Sequence, residues 1–530
     1  SVSVSRTHRR VPARASKIDV MAKSLNVLFI TPDQWRADCL SARGHPTVRT
    51  PHLDALVADG VLFANHFVQC SPCGPSRASL LTGTYLMNHR SLRNGTPLDN
   101  RFTNLAREVR AAGYDPSLIG YTDTSLDPRA SGREAPVLDQ GYEGVLPGFT
   151  ALLRTPAHPL AWTDHLAAKG YDVTDKPFDM YAPLDGHVAP GGFGPYDAPA
   201  RYRAEDSDTA FCTDTALDFI AGQGDTPWFL HLVYLRPHPP YIAPEPYNRM
   251  YDPATVPVSR RAATPEDDAR VHPLVGHGHN SISYVGGMSD DNMAKLRATY
   301  YGLITEVDDN IGRMVAALKD SGQYDNTLIV VTSDHGDTLG DHWLIGKESY
   351  FDAAFHVPLI VRAPGAAWDG GRGTVVESFS ENIDVMPTIL DLMDLEVPAQ
   401  CDGYSLAGFL DGGVPAGWRD EAHWEFDFSE VDDDTPEVTL GLGFDECSLS
   451  VVRGRRYKYV HFAGLEPVLF DLKADPDELC NLAKDPDHAP VVLEYAQKML
   501  SWRLTHSDRT LTGLKLTPAG MVELSRARRQ

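Results

Sequence analysis

Short, continuous apolar runs recur along the chain and predict strands that are buried on both faces of a sheet. They occupy residues 25–31, 228–235, 327–333 and 357–362. Between them, apolar residues that recur every three or four positions predict amphipathic helices at 296–318 and 383–393. Buried strands that alternate with such helices are typical of an α/β sandwich, in which helices cover the central sheet.

The pattern changes after about residue 415. Short strand-like segments at 423–428, 448–453, 457–462 and 468–471 are separated by acidic stretches such as 430–434. This spacing predicts a smaller C-terminal domain built on an antiparallel sheet. We therefore predict a catalytic domain over 21–415 and a smaller domain over 416–530, whose final residues are a candidate oligomerisation tail.

Two segments are predicted to lie outside this core. Residues 1–20 carry several arginines but lack the apolar stretch of a signal peptide, so they are interpreted as a non-native or disordered extension. Residues 253–292 are rich in proline, glycine and histidine, which predicts a long surface excursion.

Composition and charge exclude some partners. The chain has 530 residues with 72 acidic and 48 basic side chains, a net charge of −24. Nucleic-acid recognition normally needs a basic surface, so no nucleic-acid partner is expected. No apolar run approaches the ~18 residues of a membrane span, so no membrane association is expected. Seven cysteines, an odd number, indicate free thiols in a reducing compartment and predict a cytoplasmic protein.

Metal-type side chains follow two of the predicted strands. Asp33 and Gln34 come after the first strand, and Asp334 and His335 come after the third. In open α/β sheets, ligands gather where strands end. Carboxylate and amide oxygens with one imidazole suit a divalent cation, so these four residues are candidate metal ligands.

A cysteine at a predicted helix start is the candidate nucleophile. Residues 70–77 read Cys-Ser-Pro-Cys-Gly-Pro-Ser-Arg, and a plausible helix follows Cys73. Free N–H groups at a helix N-terminus favour an anion, and Arg77 could hold an oxygen of a bound oxyanion. An oxygen from residue 73 would also complete the metal site. The alternative is a thiol oxidoreductase that uses Cys70 and Cys73, although such an enzyme has no use for the metal ligands.

Two further residues are candidate acid–base groups. His238 is flanked by prolines at the end of the 228–235 run, and a rigid histidine at a strand end suits proton transfer to or from a leaving group. Lys347 follows the Asp334–His335 pair beyond a loop and would supply a fixed positive charge. Because the whole chain is acidic, such local cations are needed to hold an anionic substrate. If its motif stood alone, His238 would be interpreted as a turn histidine, and the alternative for Lys347 is a solvated surface lysine.

The sequence Cys73-Gly74-Pro75-Ser76-Arg77 resembles the Cys-x-Pro-Ser/Ala-Arg signature of the type I sulfatases and phosphonate monoester hydrolases of the alkaline phosphatase superfamily. The resemblance extends from about residue 26 to beyond 505, and segments 33–38, 85–90 and 236–240 look most similar to the phosphonate monoester hydrolases. It implies an alkaline-phosphatase-like sandwich with a large mixed sheet between helices, and a smaller C-terminal antiparallel sheet.

The resemblance also implies a set of site residues. Cys73 would be converted to formylglycine by a formylglycine-generating enzyme. One divalent metal, with manganese favoured over calcium or zinc, would be bound by Asp33, Gln34, Asp334, His335 and residue 73. The residues expected around the transferred group are Arg77, Asn94, Tyr121, His238 and Lys347. Asp123 stands where the family often has threonine, and its carboxylate would repel a dianionic substrate unless it is protonated or paired.

The implied activity is hydrolysis of phosphonate monoesters and phosphodiesters, with promiscuity toward sulfate esters. The gem-diol of residue 73 would attack phosphorus or sulfur and form a covalent intermediate, and His238 or Lys347 would assist the departing alcohol. Arylsulfatase activity is the alternative, and Ser76 leans slightly toward it. The expected partners are a small anionic ester, the maturation enzyme and further copies of the chain, in a dimer or tetramer.

Overall fold

A computed structural model describes residues 25–131, 144–155, 160–174, 176–184, 196–508 and 510–524. The predicted extension at 1–20 lies outside these residues. The large sheet has eight strands: β1 Asn26–Asp33, β2 Val61–Phe67, β3 Pro116–Gly120, β4 Thr150–Arg154, β5 Phe229–Pro237, β6 Thr327–Thr332, β7 Leu359–Arg362 and β8 Thr374–Glu381. Their order is β4-β3-β5-β1-β6-β7-β2-β8.

The sheet is mixed because β7 runs antiparallel to both of its neighbours, while the other pairs are parallel. Successive side chains of β1 enter two different cores. Leu28 and Ile30 face one layer of helices, and Val27 and Phe29 face the other. This two-sided burial explains why the central strands are continuously apolar.

The α-helices vary widely in length, and the longest was predicted from its apolar spacing. Their bounds are Pro51–Ala58, Cys73–Thr82, Leu86–His89, Leu105–Ala111, Pro128–Ser131, Leu160–Ala168, Asp208–Gln223, Pro265–Ala269, Pro273–Gly278, Asp290–Asp320, Asp352–Phe355, Val385–Leu392, Thr435–Leu440 and Ala489–His506. The helices Pro51–Ala58, Asp208–Gln223 and Asp290–Asp320 pack on one face of the sheet. The helices Cys73–Thr82, Leu105–Ala111 and Val385–Leu392 cover the other.

A second, antiparallel sheet follows in the chain. It contains β9 Ala422–Asp427, β10 Ser448–Arg453, β11 Tyr457–Phe462 and β12 Val468–Asp471, in the order β12-β11-β10-β9. The helix Ala489–His506 packs against it through Tyr495, Met499 and Trp502. A hairpin of β13 Leu514–Thr517 and β14 Gly520–Glu523 ends the described chain.

The predicted architecture, a large mixed sheet between helices with a smaller antiparallel sheet, is confirmed. The division at residue 415 remains a prediction. The segment 253–292 lies mostly at the surface, as predicted, although Val271, Leu274 and Val275 are buried in a core shared with the second sheet. Among the described residues, no helix has the length and apolar character needed to cross a membrane.

Candidate active site

The two predicted pairs of metal-type residues meet because β1 and β6 are adjacent and parallel. Their carboxyl ends therefore lie at the same edge of the sheet, where Asp33–Gln34 faces Asp334–His335. Gln34 adopts a left-handed backbone conformation, with φ 70°, and its N–H donates to Asp334 Oδ1 at 3.1 Å. This turn brings two segments that are 300 residues apart in sequence into direct contact.

Cys73 begins the helix Cys73–Thr82 and points its sulfur at this sheet edge. Ligand atoms of Asp33, Cys73, Asp334 and His335 all lie within 4.8 Å of one another. The Cys73 sulfur lies 3.2 Å from His335 Nε2. The formylglycine that the resemblance implies would place its oxygen atoms near this sulfur.

The donor set fits a divalent cation. Asp33 Oδ1 is buried without a hydrogen-bond partner among the described residues, as expected for an oxygen that serves as a metal ligand. His335 Nδ1 lies 3.0 Å from the Gly336 carbonyl oxygen, and donation to that oxygen leaves Nε2 available as a ligand. Burial, together with the charge of Lys347, lowers the pKa of His335 to about 3, which keeps the imidazole neutral.

Arg77 and Tyr121 hold the two metal-site carboxylates. The Arg77 guanidinium donates to Asp334 Oδ2 and to Asp33 Oδ2, each at 2.9 Å. The Tyr121 hydroxyl donates to Asp33 Oδ2 at 2.6 Å, and the Arg77 guanidinium carbon lies 4.3 Å from the centre of the Tyr121 ring. Both residues therefore contact the predicted ligands directly, in addition to lining the expected site of the transferred group.

Lys347 and His238 differ in protonation. The Lys347 ammonium lies 3.1 Å from the Cys73 sulfur and 3.1 Å from Gln34 Oε1. Burial alone would lower the pKa of Lys347, but Cys73 and Asp33 outweigh burial and raise it. By contrast, burial and the Lys347 charge lower the pKa of His238 to about 4. Its Nδ1 lies 2.7 Å from the Pro239 carbonyl oxygen, so donation there leaves Nε2 as a proton acceptor.

Asn94 and Asp123 lie beside the start of the nucleophile helix. Asn94 Oδ1 accepts from the Gly74 N–H at 2.8 Å. The Asp123 carboxylate lies 3.8 Å from Arg77 Nε, so it is paired with a cation. A Cβ atom at Gly74 would lie 2.8 Å from the Asp123 carbonyl oxygen, which explains why glycine follows Cys73. The structure thus brings together every predicted site residue.

The site residues lie within a region that matches a known protein family. The family model named Sulfatase matches residues 25–395. The chain belongs to the sulfatase family. A second model, the C-terminal region of N-sulphoglucosamine sulphohydrolase, matches residues 340–505. The resemblance inferred from the Cys73 motif is therefore confirmed, and this sulfatase-family protein is a hydrolase of ester bonds.

Three relatives are similar to this sulfatase-family chain over nearly its whole length. The multifunctional alkaline phosphatase superfamily protein PehA of Trinickia caryophylli is 45% identical, over 94% of this chain and 98% of its own. The phosphonate monoester hydrolase of Agrobacterium radiobacter is 45% identical with a TM-score of 0.90, over 94% of this chain and 99% of its own. The phosphonate monoester hydrolase of Silicibacter pomeroyi is 44% identical with a TM-score of 0.89, over 96% of this chain and 100% of its own.

The two cysteines of the Cys-x-x-Cys segment have different surroundings in this sulfatase-family fold. Cys70 Sγ lies 3.4 Å from Ser79 Oγ, whereas Cys73 Sγ contacts His335 and Lys347. Both are free thiols. Burial raises the pKa of Cys70, which disfavours the thiolate that a redox motif needs.

Sequence reasoning missed Asp337, which is fully buried next to the site. Its Oδ2 accepts from Gln34 Nε2 at 2.6 Å and from the Tyr241 hydroxyl at 2.5 Å. The signal was present, because Asp337 follows two residues after His335 in Asp-His-Gly-Asp. Nothing in the local pattern, however, indicated that its partners would be Gln34 and Tyr241, which follow the ends of β1 and β5.

A cleft of about 650 Å³ opens beside the site of this sulfatase-family enzyme. Its lining includes Pro72, Asn94 and Lys347, and the Lys347 ammonium contacts the Cys73 sulfur. Phe426 of β9 and Phe428, just after β9, also line the cleft. The cleft is large enough for an ester with an organic group.

Proposed function

We propose that this enzyme hydrolyses phosphonate monoesters and phosphodiesters, that it accepts sulfate esters as secondary substrates, and that residue 73 acts as formylglycine. The observation that carries the proposal is the position of the Cys73 sulfur, within 3.2 Å of both His335 Nε2 and Lys347 Nζ at a built metal site. The similarity to two phosphonate monoester hydrolases over the whole fold supports this choice of substrate.

The charges around residue 73 suit a monoanion. Asp33, Asp334, Asp123 and Asp337 carry four formal negative charges, and Arg77 and Lys347 carry two positive ones. A divalent cation would bring the formal total to about zero, which suits a singly charged ester better than a dianion. Phosphonate monoesters, phosphodiesters and sulfate esters are all monoanions at neutral pH.

Asp33, Gln34, Asp334 and His335 would hold the cation together with residue 73. When bound, a divalent cation stabilises the anionic form of a nucleophile and the charge on the transferred group. Hydrated formylglycine supplies two geminal hydroxyls, one to attack the ester and one to release the product. We propose manganese as the natural ion, with calcium or zinc as competitors, because the ligands are mostly oxygen atoms with one imidazole.

The two acid–base candidates take different roles. Lys347 carries its proton and points at residue 73, so it stabilises negative charge there and on the leaving oxygen. His238 is neutral with Nε2 as acceptor, so it suits removal of a proton from the second hydroxyl of residue 73. This division refines the sequence-based expectation, in which either residue could assist the leaving group.

We also propose that the chain forms a dimer or tetramer and that a formylglycine-generating enzyme matures it. Leu493 and Leu500, seven positions apart on the helix Ala489–His506, are each 60% exposed. Most residues of the β13–β14 hairpin are exposed as well, including Leu516 and Met521. Such a concentration of apolar side chains on one terminal region is typical of an interface. The cytoplasmic location stays a prediction from cysteine usage.

The proposed activity is tested with four substrates that share one leaving group. They are p-nitrophenyl phenylphosphonate, a p-nitrophenyl phosphodiester, p-nitrophenyl sulfate and p-nitrophenyl phosphate. Because the alcohol is constant, differences in kcat/KM report on the transferred group. We expect the phosphonate and the diester to exceed the sulfate by at least tenfold, and the dianionic phosphate to be poorest. A sulfate preference would instead favour the arylsulfatase alternative, which the family model and Ser76 support.

A further inference from the structure

The buried carboxylate of Asp337 binds three separate segments of the chain. Its Oδ2 accepts from Gln34 Nε2 at 2.6 Å and from the Tyr241 hydroxyl at 2.5 Å. Its Oδ1 accepts from the backbone N–H groups of Leu339, at 2.8 Å, and Gly346, at 2.7 Å. All four hydrogen bonds end on one carboxylate with no solvent exposure, where such bonds are strong.

Each of these segments carries a residue of the proposed mechanism. Gln34 is itself a proposed metal ligand. Gly346 immediately precedes Lys347, and Tyr241 closes the proline-rich loop that holds His238. One carboxylate therefore sets the mutual positions of a metal ligand, an ammonium and an imidazole. Small displacements of such groups are costly for catalysis.

The contacts of Gln34 show what Asp337 does to that ligand. Because Nε2 donates to Asp337 Oδ2, the other end of the amide, Oε1, faces the Lys347 ammonium, which also contacts residue 73. A metal cation binds the amide oxygen and not its nitrogen. The side chain could present either atom if it rotated by half a turn, so an acceptor behind Nε2 is needed to select one.

We propose that Asp337 is a positioning residue that fixes the Gln34 oxygen toward the cation, and that its charge is the reason why residue 34 is an uncharged ligand. A carboxylate at position 34 would place two negative oxygens within about 2.6 Å of each other in a buried site, where like charges repel strongly. This inference rests on the metal site in the proposed function, but it does not depend on the substrate.

The first test is Asp337→Asn. The asparagine can keep its oxygen against Leu339 and Gly346, but its NH2 group then faces Gln34 Nε2, donor against donor. Gln34 is expected to turn its nitrogen toward the cation. Manganese affinity, measured by titration of metal-free enzyme without substrate, should fall 10- to 100-fold, the usual loss for an outer partner of a metal ligand. An unchanged affinity would overturn the proposal.

The second test moves the negative charge from residue 337 to residue 34 and measures whether manganese affinity recovers. In a Gln34→Glu background, Asp337→Asn replaces two opposed carboxylates with a carboxylate and an NH2 donor. The same Asp337→Asn change should therefore raise manganese affinity there, although it lowers affinity in the wild-type background. A merely structural role predicts a loss in both backgrounds, and that result would overturn the proposal. Because the readout is metal binding, failure of the phosphonate assay is a separate outcome.

A matched control is available four residues away. Asp341 is equally buried, but it binds Arg36 and Arg297 and has no contact with Gln34. Asp341→Asn should lower the unfolding temperature and leave manganese affinity within about twofold in the folded protein. If Asp337→Asn does not fold, Tyr241→Phe removes a single hydroxyl from Asp337 Oδ2 and Gln34 Nε2. A severalfold loss of manganese affinity is expected there, and no loss would count against the proposal.

Discussion

The Lys347 ammonium lies 3.1 Å from the Cys73 sulfur, although the two residues are 274 positions apart in the chain. The loop after β6 carries the lysine over the start of the helix Cys73–Thr82. A fixed cation therefore sits next to the atom that is replaced when the cysteine matures. Its second contact, with Gln34 Oε1, connects it to the metal site.

Removal of this cation should slow chemistry more than binding. We expect Lys347→Met to lower kcat for p-nitrophenyl phenylphosphonate by 10²- to 10⁴-fold, the range typical of a positioned proton-transfer or charge-stabilising group. The loss should grow as the leaving alcohol becomes less acidic. Steady-state kinetics on a series of phenyl esters checks this, with Lys319→Met on the surface of the long helix as the control. Equal losses for all leaving groups would argue against a role at the leaving oxygen.

Cys73 and Cys70 should respond differently to substitution. Cys73→Ala should abolish turnover and keep the circular dichroism spectrum and unfolding temperature near wild type. Cys70→Ser should retain activity within a few fold, since the Cys70 thiol lies against Ser79 and a serine hydroxyl can make the same hydrogen bond. Mass spectrometry of the peptide around residue 73 should find an aldehyde in active enzyme. Fully active protein with an unmodified Cys73 would contradict the mechanism. Loss of activity in Cys70→Ser would instead favour the oxidoreductase hypothesis.

Metal removal should inactivate the enzyme without unfolding it. The carboxylates of the site remain paired with Arg77 when the ion is absent, so the apo fold should persist. Adding manganese back at 100 times its dissociation constant should restore activity and stabilise the fold by about 2.7 kcal/mol. His335→Ala should need much more manganese for both effects. Calorimetric scans with and without metal measure the stabilisation. If manganese did not raise the unfolding temperature, that result would contradict binding of the ion to the folded protein.

Glu306 offers a pH test that is independent of the active site. Burial, and then the charge of Asp208, raise the pKa of Glu306 from 4.5 to about 7. The folded state therefore keeps a proton that the unfolded chain releases above pH 4.5. This group consequently lowers the free energy of unfolding as the pH rises from 4.5 to about 7. Glu306→Gln should increase the free energy of unfolding at pH 8 by about 3 kcal/mol and leave it unchanged near pH 4. Urea titrations at both pH values check this, with exposed Glu494→Gln as the control.

The exposed leucines of the terminal helix predict an assembly. Leu500→Glu should convert a dimer or tetramer into smaller species, because it places a charge in an apolar contact. Light scattering coupled to size-exclusion chromatography measures the mass. Val258→Glu, at a position that is 87% exposed elsewhere on the surface, should leave the mass unchanged. A monomeric wild-type protein would refute the assembly.

Local patterns were enough to predict β1, β5, β6 and β7 of the large sheet, the strands of the second sheet, and the helices Asp290–Asp320 and Val385–Leu392. The predicted segments at 448–453, 457–462 and 468–471 coincide with β10, β11 and β12. The predicted run at 25–31 lies within two residues of β1. These predictions succeed because periodicity and continuous burial are properties of neighbouring residues. The segment 253–292 lies mostly at the surface, as predicted, but its composition did not indicate that Val271 and Leu274 would pack into a core.

The sequence by itself determined the family, through the Cys73 motif, and the residue types at the ends of β1 and β6. Only the tertiary structure decided what these side chains do to one another. It turned Arg77 and Tyr121 toward Asp33, paired Asp123 with Arg77, and placed Asp337 behind Gln34. The physical reason is that each of these contacts joins segments tens to hundreds of residues apart. Its direction depends on strand order and on turns such as that at Gln34, which no local pattern encodes.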